Sequence, residues 1–186
     1  MGTIKTTNIE PIADNGTVTL GSSGDTFTLG SGVKQSNLMN PAFEAYRNAS
    51  ANLTNLAYTK IECDTETFDT DNCYDNTTNY RFTPTVSGKY FVYGHASVNA
   101  LSSSRLERNW GAIYKNGVVV LQAQNDYRAN PLRITASQVS GIVDMNGTTD
   151  YLELYVYANA TTGTPQYLGL VGTGKRTAFG SYRIGS

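Results

Sequence analysis

His95 carries the only imidazole in this 186-residue chain, so any imidazole-based triad would have to be built on it. It falls inside an alternating stretch, 89–99, rather than in a loop, where catalytic groups concentrate. The expectation is an interface or hydrogen-bonded structural role. Residues 169–175 read GLVGTGK, the Gly, four residues, Gly-Lys spacing of a phosphate loop. Arg176 follows where that loop needs Ser or Thr for magnesium, and a strand-like segment follows where it needs a helix N-terminus. A glycine-rich loop without nucleotide is expected. Asp64, Glu66, Asp69 and Asp71 bring carboxylates together, and calcium takes oxygens from such loops. The Gly and closing Glu of a calcium hand are missing, so a solvated acidic loop is expected, these four being the residues a cation would use. Cys63 and Cys73 bracket it. A disulfide there would add about 2.5–3 kcal/mol by closing a short loop, whereas a reducing cytosol starts both as thiols. A bond or a contact pair is expected from the way they flank one loop. Paired carboxylates for glycan cleavage need defined separations that spacing does not give. No catalytic set and no cofactor site emerges, and the chain reads as non-enzymatic.

Composition narrows the partners. Lys plus Arg is 14 and Asp plus Glu is 15, a formal net charge of -1. Nucleic acid and anionic membranes call for a clustered basic surface, and neither is an expected partner. Charged residues are 16% of the chain, below the roughly 25% usual for soluble domains. The 13 Tyr and 18 Gly lean toward strands and turns. No run approaches the roughly 20 apolar residues of a membrane span. The opening residues, MGTIKTTNIEPIADNG, lack an apolar leader segment, so synthesis in the cytoplasm is expected.

The elements that would position these groups are strands. TVTLG and TFTLG repeat at an offset of nine residues, Val18 to Phe27 and Leu20 to Leu29. Two copies cannot cover their own apolar faces, so residues 1–38 read as an ordered attachment arm. A joint at 34–41 leads into a head over 42–186. Strands are expected at 56–63, 80–82, 89–99, 109–115, 118–124, 133–144, 151–158 and 176–184. Asn116-Gly117 has the chemistry of a two-residue hairpin, since both positions accept positive φ. The Ala-rich stretch 44–51 is the one helical candidate. Many evenly spaced strands mean an all-β sandwich or barrel.

Asp69 is followed after four residues by Tyr74, and Phe82 after five residues by Gly88 and then Tyr90. These spacings resemble the globular head of the complement C-one-q family, which shares the tumour-necrosis-factor jelly roll. WGAIYKNGVVV, DYLEL at 150–154 and FGSY at 179–182 resemble its later strands, the last with Gly and Ser reversed. Cys63, Val92 and Gly94 stand where the family places aromatics, and the spacer from Tyr74 to Phe82 is one residue longer. The resemblance spans 42–186 and implies an antiparallel jelly-roll sandwich and a homotrimer, with no ligand site carried over. The start of the chain is similar to short bacteriophage fibre proteins. This implies a virion surface protein, a fibre or tail-fibre head joined to other virion proteins through residues 1–38. The alternatives are a capsid decoration protein and a secreted complement-like binding module.

Period-two alternation divides the long strands. Tyr90, Val92, Gly94, Ala96 and Val98 share one face, and Phe91, Tyr93, His95, Ser97 and Asn99 the other. Leu152, Leu154 and Val156 are likewise opposed by Tyr151, Glu153, Tyr155 and Tyr157. The aliphatic faces fit a sandwich core. The Tyr-rich faces fit subunit contacts, because aromatics are enriched at interfaces. Phe91, Tyr93, His95, Tyr151, Tyr155 and Tyr157 are therefore the expected trimer interface. Polar loops at 64–79 and 125–131 are expected to face the host surface. Tyr127 and Arg128 are the expected contacts for a glycan or protein there.

Overall fold

The computed structural model describes residues 39–185, together with Thr26 and Ser31. The chain divides into two units, Met1–Ser36 and Asn37–Ser186. The arm expected over 1–38 lies almost wholly outside the described residues, which begin in earnest at Met39. Within the second unit, strands β1 (Ala42–Tyr46), β2 (Ala51–Asn52), β3 (Ala57–Lys60), β4 (Thr65–Asp69), β5 (Tyr74–Asp75) and β6 (Arg81–Phe82) precede the long strands. Those are β7 (Gly88–Asn99), β8 (Leu106–Lys115), β9 (Val118–Asp126), β10 (Ile134–Met145) and β11 (Leu152–Ala160). β12 (Gln166–Tyr167) and β13 (Thr177–Gly185) close the fold. The described residues contain no helix.

Two antiparallel sheets face each other. The first runs β4-β1-β13-β7-β10, with β12 and β2 continuing beside the end of β7. The second runs β5-β6-β11-β8-β9. The steps from β6 to β7, β7 to β8, β9 to β10 and β10 to β11 each cross between sheets, which is the winding of a jelly roll. β3 lies along β11, with the Leu56 amide donating to the Ala158 carbonyl and the Ile61 amide to Leu154, each at 2.8 Å.

The core follows the alternation. Tyr90, Val92, Gly94, Ala96 and Val98 of β7 are buried, as are Leu152, Leu154, Val156 and Ala158 of β11. Phe43 is the hub. Its ring stacks on Tyr74 at 4.5 Å and on Phe82 at 4.6 Å, and meets the edge of Phe179 at 5.0 Å. Gly94, in place of a family aromatic, is where Leu154 packs: an added Cβ would lie 2.5 Å from the Leu154 Cδ1. Cys63, also in place of an aromatic, is fully buried, and its carbonyl accepts a 3.0 Å bond from the Tyr74 hydroxyl.

Three local expectations are overturned. The helical candidate 44–51 is instead β1, a bend and the start of β2. Phe43 and Ala45 point inward while Glu44 and Tyr46 point out, and pairing with both β13 and β4 outweighs local helix propensity. The acidic loop contains a strand, β4, paired with β1. Cys63 and Cys73 are free thiols, so of the bond or contact pair expected of them the bond is what is overturned.

Candidate functional site

The residues that resemble the family motif all do structural work. Asp69 accepts the Tyr74 amide at 2.8 Å, and Tyr90 donates to the Val86 carbonyl at 2.7 Å. Gly88 has φ +144°, and a Cβ there would lie 2.3 Å from the Gly185 carbonyl oxygen. These contacts hold the sandwich together.

The residues expected at a trimer interface fall on two separate faces. Phe91, Tyr93 and His95 lie on the outside of the first sheet, and Tyr155 and Tyr157 on the outside of the second. Tyr151 precedes β11, with the Arg81 guanidinium 4.6 Å from its ring centroid. On the first sheet the strands bring three rows into register. Ile142, Phe91 and Tyr182 form one; Ser140, Tyr93, Gly180 and Glu44 the next; Gln138, His95, Ala178 and Tyr46 the third. Phe91 sits 5.5 Å from Tyr182 and 6.3 Å from Tyr93. The Tyr93 ring lies over Gly180, where a Cβ would come within 2.4 Å of it. Glu44 is the one charge in these rows, and it is neutralised in place. It accepts from the Tyr93 hydroxyl at 2.8 Å and pairs with the Lys175 ammonium at 2.6 Å. Burial pushes the Glu44 carboxyl up, but Lys175 and the Tyr93 and Thr67 hydroxyls outweigh it and hold it below the usual glutamate range.

The second sheet carries a continuous aromatic belt. Trp110 stacks on Tyr157 at 4.5 Å, Tyr157 meets Tyr58 at 5.5 Å, Tyr58 meets Tyr114 at 5.9 Å, and Tyr114 meets Tyr155 at 4.1 Å. Gln122 bonds the Tyr58 hydroxyl. Burial, then the Glu153 charge, push the Tyr155 phenol up to about 12. Tyr58, Trp110, Tyr114 and Tyr182 complete the two faces and were not among the expected interface residues. Alternation along β8 and β13 carries the signal for the last three, whereas Tyr58 reaches the belt only because β3 docks along β11.

The groups that suggested chemistry are otherwise engaged. His95 Nε2 lies 3.1 Å from the Lys175 carbonyl. The GLVGTGK stretch closes on itself, with the Val171 amide donating to Gly174 and the Gly174 amide to Val171, so no phosphate cradle forms. Asp64 pairs with Arg47 at 2.9 Å, Asp69 caps the Tyr74 amide, Asp71 accepts from Thr70, and Glu66 is exposed. These carboxylates do not converge. Among the described residues no group of three acidic, His or Cys side chains could hold a metal ion. Burial drives the Cys63 thiol far above the ordinary range, so it is inert. Tyr127 bonds Thr135 through its hydroxyl at 3.1 Å, and its amide donates to the Glu107 carbonyl at 2.7 Å. Arg128 is exposed and pairs with Asp126 at 2.7 Å. Hydrogen bonds from Arg128 hold the Asp126 carboxyl at about 2.

No protein-family model matches the chain, and no curated sequence matches it. Solved structures do. The chain is similar to murine APRIL in crystal structures at pH 5.0 and at pH 8.0. Each gives a TM-score of 0.53 at 8% sequence identity, covering 77% of this chain and 98% of that one. At that identity the likeness is one of fold, and the head has the tumour-necrosis-factor-like jelly roll that its β-strand winding describes.

Proposed function

We propose that this chain is a non-enzymatic, homotrimeric surface head of a phage particle, attached through residues 1–38 and contacting the host surface. The observation that carries the assembly is the outer face of the first sheet. Three registered rows present Ile142, Phe91, Tyr182, Tyr93, His95 and Tyr46, with their single carboxylate already paired. Ile142 is 58% exposed there, and the neighbouring positions Ala136, Gln138 and Ser140 of β10 are exposed and uncharged. A broad, neutral, aromatic sheet face is the composition of a subunit interface core. The phage setting rests on the sequence of the N-terminal segment. Light scattering on the purified chain is expected to give about three times 20.1 kDa. A folded monomer at micromolar concentration would overturn the reading. Removing residues 1–38 should leave a cooperatively melting head and abolish incorporation into particles.

A second reading, a capsid decoration protein without receptor contact, has one observation in its favour. The loop with Tyr127 and Arg128 spends its polar groups on Thr135, Glu107 and Asp126. Alanine at both positions separates the two readings. Weakened host adsorption with an unchanged melting point supports contact through this loop, and unchanged adsorption removes this loop from the contact and leaves the decoration role standing unless another surface of the head adsorbs.

A further inference from the structure

One edge of the sandwich sets β10 beside β9. At the other, β4 is the outermost strand of the first sheet and β5 of the second, and residues 70–73 cross between them. A cleft of 420 Å³ opens at this crossing, lined among others by Glu66, Asn72, Asp75, Asn76, Arg81 and Thr83. That volume is within the roughly 300–1,000 Å³ of small-ligand sites, but its wall is nearly all polar.

Asp75 is the scaffold of the cleft. It accepts the amides of Thr77, Thr78 and Asn79 and the side chains of Thr77 and Asn79, so it has nothing left for a ligand. The side chains of Glu66, Asn72, Asn76 and Thr83, by contrast, make no hydrogen bond within the described residues. The Arg81 guanidinium sits 4.6 Å from the Tyr151 ring centroid and pairs with no carboxylate among the described residues.

These free groups select a ligand class. An apolar molecule finds no matching wall. An anion meets Glu66 beside Arg81, whose charges offset. A metal ion meets the Arg81 cation and too few ligating carboxylates. A sugar hydroxyl both donates and accepts, so it needs donors and acceptors side by side. Arg81 and the two amides donate, Glu66 and the amide oxygens accept, and Thr83 does both. We propose that the cleft at the β4–β5 crossing binds one neutral saccharide unit. This deepens the host-contact part of the function proposed above and rests on it for its biological setting.

The test uses the full chain and free glucose, galactose, N-acetylglucosamine and N-acetylgalactosamine, with calcium chloride and inorganic phosphate as controls. The side-chain amide resonances of Asn72 and Asn76 should shift with at least one sugar and with neither control. Glu66→Gln and Asn76→Ala should each weaken binding about tenfold or more, the loss of one charged or bifunctional hydrogen bond. Glu66 is exposed and Asn76 half-buried, and neither side chain holds a hydrogen bond of the fold, so melting temperatures should hold. Where either variant melts early, Thr83→Val supplies the same readout. No shift with any sugar, or shifts that persist in the Glu66→Gln, Asn76→Ala double variant, overturns the proposal. Host adsorption that survives the loss of sugar binding overturns the cleft as the host contact while leaving the adhesive reading intact. Sugar binding by a chain whose deletion leaves particle adsorption unchanged supports the cleft and removes the adhesive reading.

Discussion

Phe43 shows how much of this head depends on single side chains. Three aromatic rings, from β5, β6 and β13, close on it. Phe43→Ala should cost about 3–5 kcal/mol, the usual range for a buried aromatic that leaves a cavity, and chemical denaturation measures it. The motif residues Phe82, Gly88 and Tyr90 are legible in the sequence because their spacing is local. Phe43 is not, since its partners come from both ends of the head. Charge adds a second residue-level effect. Backbone hydrogen bonds, the Thr78 amide foremost, hold the Asp75 carboxyl well below the usual range. At Asp150, Lys115 and Asn116 outweigh burial and hold it low, and Glu44 is also lowered. The unfolded chain therefore takes up protons before the folded one. The stability these groups contribute is fully present above their unfolded pKa values, about 4, and is lost as pH falls through and below that value. Melting temperature followed by circular dichroism should be flat above about pH 5 and drop below it. Asp75→Asn should melt earlier at neutral pH, with its gap from the parent narrowing in acid.

At the scale of elements, the hairpin between β8 and β9 forms one edge of the second sheet and bonds to the start of β11. Asn116 and Gly117 take φ of 52° and 80°, as their types suggest. What their types do not suggest is that the Asn116 amide also donates to Asp150 at 2.7 Å and its oxygen accepts the Tyr151 amide at 2.9 Å. Asn116→Ala should therefore cost more than the roughly 1 kcal/mol of a left-handed alanine. About 2–4 kcal/mol is expected once the two lost hydrogen bonds are added. Gly117→Ala, which meets nothing closer than the Tyr151 hydroxyl at 3.9 Å, should stay near the smaller figure, with thermal melts comparing the two. The long strands were legible because one face of each is buried and the other is not, so period two survives in the residues. β4 was not: TETFD has no apolar period, and an edge strand keeps charged side chains that a central one cannot. The helical candidate 44–51 failed for a related reason, since strand pairing on both sides of β1 comes from residues far away in sequence.

For the whole molecule, the two aromatic faces make opposite statements under mutation. Ile142 is exposed in the single chain, so Ile142→Asp costs the fold little while placing an unpaired carboxylate in the proposed seam. Light scattering should report the loss of the trimer for Ile142→Asp and its retention for Tyr155→Asp, whose ring lies on the second sheet. The reverse pattern would move the seam to the belt of Trp110, Tyr157 and Tyr58. Which residues alternate could be read from the sequence. That Phe91 and Tyr157 lie on different sheets could not, because it depends on crossings that only the assembled sandwich fixes.

The pairing of β1 with β13, Ala42 against Tyr182 and Tyr46 against Ala178, also sets when the head can come together during its synthesis. β1 lies between β4 and β13, and β13 lies between β1 and β7. A ribosome that has released only the first three quarters of the head has freed Phe43, β7 and β10, but not the strand that seats between β1 and β7. Pairings this distant along the chain make for slow closure. Until β13 emerges, apolar strand surface is open to other nascent chains on the same message. Those chains are the subunits the proposed trimer needs, so on that reading translation itself delivers partners at high local concentration during the interval when the head is least able to tolerate strangers.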